Sequence, residues 1–326
     1  MDRWHEVTRR DFLRAAAVGA ATLAWPAVSG LSQEPKSRVV VAKNPAVMKD
    51  GEVVEDVLAQ MVDAAVTKLT GEASAEAAWR KLFSSDERIG LKPNGLGGPM
   101  LSTATALIHV CVERLRGIGV KSGNLVIWDQ DPGKLVACGL DPGQTWGVKC
   151  VPASVEWDAP ITSGKFTGQL TTILTKQIDA YLNLPIIKDH NSAGVTGALK
   201  SHYGSHKNPW EHHGSRCDPY IADLYSIPAC KDKSRLILTD GTRATCEGGP
   251  GYNPLFVWNP NLILAATDPV ANDTQIWKII EAQREAKGLP PLEQVGRQPK
   301  SIASAADRGL GTNDEAKMEI VDLALG

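Results

Sequence analysis

Leu182-Asn183-Leu184-Pro185-Ile186-Ile187 runs directly into Lys188-Asp189-His190. A short apolar run with no alternation of faces predicts a strand buried on both sides. The polar triplet at its end marks a place where chemistry collects. The same form recurs outward from this junction. Residues 38–42 (RVVVA) and 318–325 read as strands, as do 88–91, followed by Lys92-Pro93-Asn94-Gly95, and 124–128 (NLVIW), ending in Asp129. Residues 235–239 (RLILT) end in Asp240-Gly241, and 262–266 end in Asp268-Pro269. Apolar residues at helical spacing predict helices over 53–69 and 103–115, a further helix over 171–181 and a glycine-interrupted one over 194–203. Residues 143–170 read as short β-like pieces without a clear period. Asp268 before Pro269 is a capping carboxylate followed by a first-turn proline, and predicts a helix to about residue 286. Strands alternating with helices predict an α/β fold: a mostly parallel sheet with helices on both faces, in one domain over 31–326.

The chain of 326 residues is 43% hydrophobic and 22% charged, with a formal net charge of -2. That composition is globular and gives no positive field to hold a nucleic-acid backbone. The first thirty residues differ. Thr8-Arg9-Arg10-Asp11-Phe12-Leu13 precedes an apolar run from Ala15 to Trp25, then Pro26 and small residues. This is the pattern of a twin-arginine signal peptide over 1–30, with cleavage expected around 27–30. It predicts a periplasmic or otherwise extracytoplasmic protein whose export partner is the twin-arginine translocase. The apolar run falls short of the roughly 20 residues a membrane-spanning helix needs. Because that route carries folded cargo, it raises the expectation of a cofactor. None of the six cysteines forms a C-x-x-C pair, which argues against iron–sulfur and zinc-ribbon sites. In an oxidising compartment disulfides are open to them, Cys217 with Cys230 being the favoured pair, while Cys111 reads as a buried thiol.

Ligands of open α/β sheets sit at the carboxyl ends of strands. Asn94, Asp129, Lys188, His190, Asp240 and Asp268 all fall there, and Asp268 is explained as a cap. The densest stretch, 188–213, holds five of the seven histidines: His190, His202, His206, His212 and His213. On a helix, His202 and His206 would share a face, a spacing that suits a metal. These five are therefore the candidate metal ligands. Lys188, Lys200 and Asp240 are the candidate catalytic groups, since a lysine beside imidazoles in a cleft can lose its proton and act as base or amine nucleophile. Lys92, Asn94, Asp129, Gly194 and Thr196 are the candidate ligand contacts. Gly194 and Gly197 allow close backbone approach, but no nucleotide-binding glycine pattern is present.

Lys92-Pro93-Asn94, Lys188-Asp189-His190, Ala193-Gly194-Val195-Thr196-Gly197-Ala198-Leu199-Lys200, Asp240-Gly241, Gly248-Gly249-Pro250 and Asp268-Pro269-Val270-Ala271 with Asp273 occur in that order. Over residues 38–285 this resembles the domain of unknown function 362 family, which implies no common activity. Some members carry an added ferredoxin-like segment that this sequence lacks. Two positions depart from the family's pattern: Ser201 stands where Asn is usual, and Asn272 where an apolar residue is usual. The stretch from His190 to Lys200 also looks distantly like the lactate racemase family, whose nickel-bearing pyridinium cofactor would by analogy meet His190, Lys200 and His202.

Three readings follow. The chain is an exported enzyme that holds a metal or metal-containing cofactor in a His/Lys cleft and acts on a small anionic substrate. Alternatively, it is a periplasmic metal- or small-anion-binding protein without catalysis. In the third, the histidines cap loops in a structural or partner-binding unit.

Overall fold

The structure, a computed structural model, describes residues 36–326; the export signal read over 1–30 lies outside the described residues. The central sheet has twelve strands. In chain order they are β1 (Ser37–Lys43), β2 (Ile89–Pro93), β3 (Leu125–Asp129), β4 (Gly143–Thr145), β5 (Val148–Pro152), β6 (Ala180–Leu184), β7 (Ile186–His190), β8 (Gly194–Thr196), β9 (Ser234–Thr245), β10 (Val257–Trp258), β11 (Leu262–Ala266) and β12 (Met318–Ala324). The main path runs β12-β1-β11-β9-β6-β2-β3-β5-β4, with β7, β8 and β10 attached beside β9. Along it only β11 and β4 run against the other strands. The mostly parallel sheet is thus as the buried apolar runs predict.

Successive residues of a strand face opposite ways, so each strand feeds two cores. In β1, Val39 and Val41 join one core and Val40 and Ala42 the other. The second core is closed by α1 (Glu55–Thr70), α2 (Ala75–Leu82) and α3 (Thr105–Gly117). The short α4 (Pro132–Ala137) adds Leu135 to it. The first core is closed by α5 (Tyr220–Tyr225), α6 (Pro228–Lys231), α7 (Pro269–Ala286) and α8 (Lys300–Asp307). Asp268 caps α7 as its sequence predicts, accepting from Val270 N and Ala271 N. Among the described residues no helix is long and apolar enough to cross a membrane.

Three stretches differ from expectation. Residues 171–181 are no helix: a single π-type turn, Ile173–Gln177, gives way to β6, because Asp179 N is drawn to Arg88 O and Ala180 pairs with Ile89. Residues 194–203 divide into β8 and a 3₁₀ helix, Leu199–Ser205. Gly194 there has φ 82°, and Thr196 pairs with Lys188 across an antiparallel ladder. β9 runs five residues past Asp240, where a strand end is expected. The six cysteines are all buried free thiols, so Cys217 and Cys230 form no bridge.

The order of the strands positions the site. From β2 the chain moves to β3 and β5 on one side, then returns to lay β6 on the other side of β2. The connections therefore lead away in opposite directions from the paired strands β2 and β6, and the place above their carboxyl ends is the usual one for a ligand.

Candidate functional site

A cleft of 340 Å³ occupies that place. One wall comes from the ends of β2 and β3: Lys92, Asn94, Asp129, Gln130, and Lys134 from the first turn of α4. The other comes from the end of β7, from β8 and from the 3₁₀ helix: His190, Ser192, Thr196, Lys200, Ser201 and Tyr203. His213 and Pro209 close it from the following loop.

The first wall is a finished network. Lys92 Nζ donates to Asp129 Oδ1 at 2.7 Å and to Pro93 O at 2.7 Å. Asp129 also accepts from Gly95 N at 2.8 Å and Gln130 N at 2.7 Å. A Cβ on Gly204 would fall 2.6 Å from Asp129 Oδ1, so only glycine lets the 3₁₀ helix lie against this pair. Lys188 is fully buried and lies behind the cleft, donating to Asn94 Oδ1 at 2.9 Å. Burial lowers its amine to about 7. Asn94 Oδ1 accepts from Leu96 N as well, at 3.2 Å, so the amide is fixed with Nδ2 left to donate.

The second wall is unfinished. Thr196 and Ser201 are 2% and 3% exposed, and each hydroxyl is buried without a partner. A buried polar group without a partner is uncommon and calls for one. Lys200 is buried and, among the described residues, has no carboxylate beside it. Its Nζ lies 3.4 Å from His213 Nε2 and 3.5 Å from the centre of the Tyr203 ring. Burial lowers this amine to about 8.

The histidines do not form one centre. His202 sits in a completed chain. Trp128 Nε1 donates to Ser205 Oγ at 3.1 Å, which donates to His202 Nδ1 at 3.3 Å. His202 Nε2 then donates to Tyr181 Oη at 2.8 Å, and Tyr181 donates to Cys230 O at 2.7 Å. Burial lowers this imidazole to about 3 and keeps it neutral. His206 leaves the 3₁₀ helix with extended backbone, so it shares no face with His202. It lies with His212 around Phe166, at ring distances of 5.2 Å and 4.6 Å. Only His190 and His213 reach the cleft, their rings 5.7 Å apart.

Their tautomers decide what they can bind. His190 Nδ1 accepts from Ser192 N at 3.0 Å and Ala193 N at 3.2 Å, so its proton is on Nε2. As a metal ligand through Nε2 it would need that proton on Nδ1, against two N–H groups. His213 Nδ1 donates to Pro209 O at 2.8 Å, leaving Nε2 as a bare acceptor opposite Lys200. Among the described residues no three of His, Cys, Asp and Glu converge so as to hold a metal ion. The expected five-histidine set is therefore corrected: these residues do not fit an ion held by imidazoles. What the cleft offers is donors, from Asn94 Nδ2, His190 Nε2–H, two hydroxyls and lysines, and these suit an anion.

Two further expectations change. Asp240 lies outside the cleft, fully buried, with Oδ2 accepting from Ala104 N at 2.7 Å and Oδ1 from Thr242 N and Oγ1 at 2.8 Å and 2.7 Å. It ties the start of α3 to the middle of β9, which is why that strand continues. Gly194 packs on the backbone of Arg297 and Pro299, where a Cβ would collide, and does not line the cleft. The sequence reading missed Lys134, Tyr203 and Ser201 as cleft residues. Asp131-Pro132 repeats the Asp-Pro helix start of Asp268-Pro269, with Asp131 Oδ1 accepting from Lys134 N, and marks Lys134 as first-turn. Ser201 was visible as a departure from the family pattern.

Residues 138–278 match the family described as "Domain of unknown function (DUF362)". The match takes in the second wall and all five histidines but begins after Lys92-Pro93-Asn94, so it is narrower than the motif resemblance over 38–285. No curated protein matches. The lactate racemase apoprotein from Thermoanaerobacterium thermosaccharolyticum is similar at 12% identity and a TM-score of 0.43, over 71% of this chain and 54% of its own. A protein from Thermotoga maritima is similar at 11% identity and a TM-score of 0.41, over 74% of this chain and 61% of its own. This chain thus spans less than two thirds of either, and the reading of the cleft rests on its own residues.

Proposed function

We propose that the cleft binds a small anionic substrate and that Lys200, with His213, performs acid–base chemistry on it. The observation that carries this reading is the unfinished second wall: an amine without a counter-charge beside two buried hydroxyls without partners. At 340 Å³ the cleft is at the small end of ligand pockets, about 300–1,000 Å³, and suits a compact ligand. Asn94, His190, Thr196 and Ser201 supply donors for the anion. An amine near 8 beside a bare imidazole nitrogen can take or give a proton at neutral pH. A resident metal-containing cofactor would find one free ring nitrogen in the cleft, that of His213, and no step is assigned to such a group.

Calorimetry with small carboxylates and phosphate tests this reading. One ligand binds per chain, and binding is lost in Lys200→Met with the fold intact by circular dichroism. Full binding in Lys200→Met and Thr196→Val would sink it, as would stoichiometric metal that disappears in His190→Ala. Binding without turnover of any tested acid would leave a carrier in place of an enzyme. We also read Arg9-Arg10 with Phe12-Leu13 as an export signal. Replacing both arginines with lysine then removes the protein from the periplasmic fraction, and unchanged export would refute a twin-arginine route.

A further inference from the structure

We propose that Lys200 is an amine nucleophile, and that the substrate of the cleft is a small 2-oxo acid captured as an imine. This rests on the anion reading above and names its substrate class. Four lysines lie in or behind the cleft, and two are committed elsewhere. Lys92 is held by the Asp129 carboxylate and Pro93 O. Lys188 is spent on Asn94 and does not line the cleft. Lys134 stands at the rim, half-buried in the first turn of α4. Lys200 alone is both buried in the cleft wall and free of any carboxylate, facing a π-face and the lone pair of His213 Nε2.

Burial disfavours an ammonium there, and His213 Nε2 gives a departing proton an acceptor. If the ligand were only an anion to be held, a fixed cation would serve better, and Lys92 shows how this fold makes one. An amine that can pass its proton to a neighbouring imidazole is useful against an electrophilic carbon. The carboxylate of a 2-oxo acid would take the donors of Thr196, Ser201 and His190, which leaves its carbonyl carbon for Lys200.

The step balances without oxidant or reductant. The Nζ lone pair forms a C–N bond as the carbonyl π pair moves to oxygen. Nζ gives one proton to His213 Nε2, which passes it to that oxygen, making a carbinolamine. The nitrogen lone pair then expels the hydroxyl, and the remaining N–H proton passes through His213 Nε2 to the departing oxygen, so that water leaves and the product is the neutral imine.

The full chain is incubated with pyruvate or glyoxylate and sodium borohydride, digested and mapped by mass spectrometry. The expected result is an N-(1-carboxyethyl) or N-carboxymethyl group on Lys200, formed about tenfold or more faster than on any other lysine. Thr196→Val slows labelling at Lys200 and leaves surface lysines unchanged. Lys200→Arg keeps the positive charge and loses the adduct. Pyruvate binding by calorimetry with Lys200 unmodified would overturn the imine and leave the anion reading standing. Neither binding nor adduct would overturn both. Labelling spread evenly over surface lysines, with none favoured, would also overturn the imine.

Discussion

Lys92 and Lys200 line the same cleft from opposite walls, and they are opposite kinds of lysine. Lys92 is 1% exposed and its charge is matched by Asp129, which in turn accepts two backbone N–H groups. Lys200 is 6% exposed and has no carboxylate partner. Burial alone therefore does not tell scaffold from chemistry. The distinction is whether the polar groups around the amine complete one another or wait for something else. The β2–β3 wall is complete and fixes the shape. The β7–β8 wall and its 3₁₀ helix carry the open valences.

The comparison breaks first on stability. Asp129→Ala strands a buried ammonium and two N–H groups, and should destabilise the chain by about 3–5 kcal/mol in urea unfolding. A loss under about 1 kcal/mol would mean that the first wall is not the finished network described.

The two lysines should differ in sign. Lys200→Met removes a group whose folded pKa, about 8, lies below its ordinary 10.5. A depressed folded pKa contributes stability that is present above the unfolded value and lost as pH falls through the folded one. Wild-type stability thus rises between about 8 and 10.5 by an amount that Lys200→Met lacks, roughly 3 kcal/mol. His213, Tyr203 and Cys217 face Lys200 and remain in both proteins, and the difference between the two urea-melt series reports the amine together with its repulsion of Lys188 and His190. At neutral pH the methionine variant is the more stable and binds no ligand. Parallel pH curves would show that burial does not lower Lys200.

Thr196→Val is a smaller trade. It removes a buried hydroxyl without a partner and keeps the shape, so stability should rise by about 1 kcal/mol. Ligand affinity should fall about fivefold, because the hydroxyl is proposed to meet the ligand. Affinity that stays level in calorimetry would remove Thr196 from the site.

These tests bear on what was legible beforehand. β1, β2, β3 and β11 could be read because a continuous apolar run of about five residues, closed by polar ones, has few other uses. Asn94, Asp129 and His190 could be placed along one edge because strand ends in such a sheet share it. Asp240 was misplaced by the same rule. Its carboxylate is satisfied by Ala104 and Thr242, so the strand passes through a residue that looks like its end. The roles of the histidines were not legible. Each depends on which ring nitrogen meets which backbone or hydroxyl group once the loops have taken their shape. Pro209 O reaches His213 through a local turn, whereas the Tyr181 hydroxyl for His202 is fixed only by tertiary packing.

His212 gives the finest test of that division. By sequence it sits beside His213, yet its ring packs on Phe166 at 4.6 Å and on Tyr220 at 5.2 Å, and its Nδ1 is buried without a partner. Burial lowers its pKa, so it stays neutral at physiological pH. His212→Phe keeps a flat ring in an aromatic nest and removes the unpaired nitrogen. Stability should therefore hold or rise by up to about 1 kcal/mol. Ligand affinity and pyruvate labelling at Lys200 should match wild type. His213→Phe, one residue on, removes the acceptor facing Lys200 and should slow that labelling while leaving circular dichroism unchanged. If the two variants behaved alike, the histidines would have to be read as one functional cluster again, and the contrast between the walls would lose its meaning.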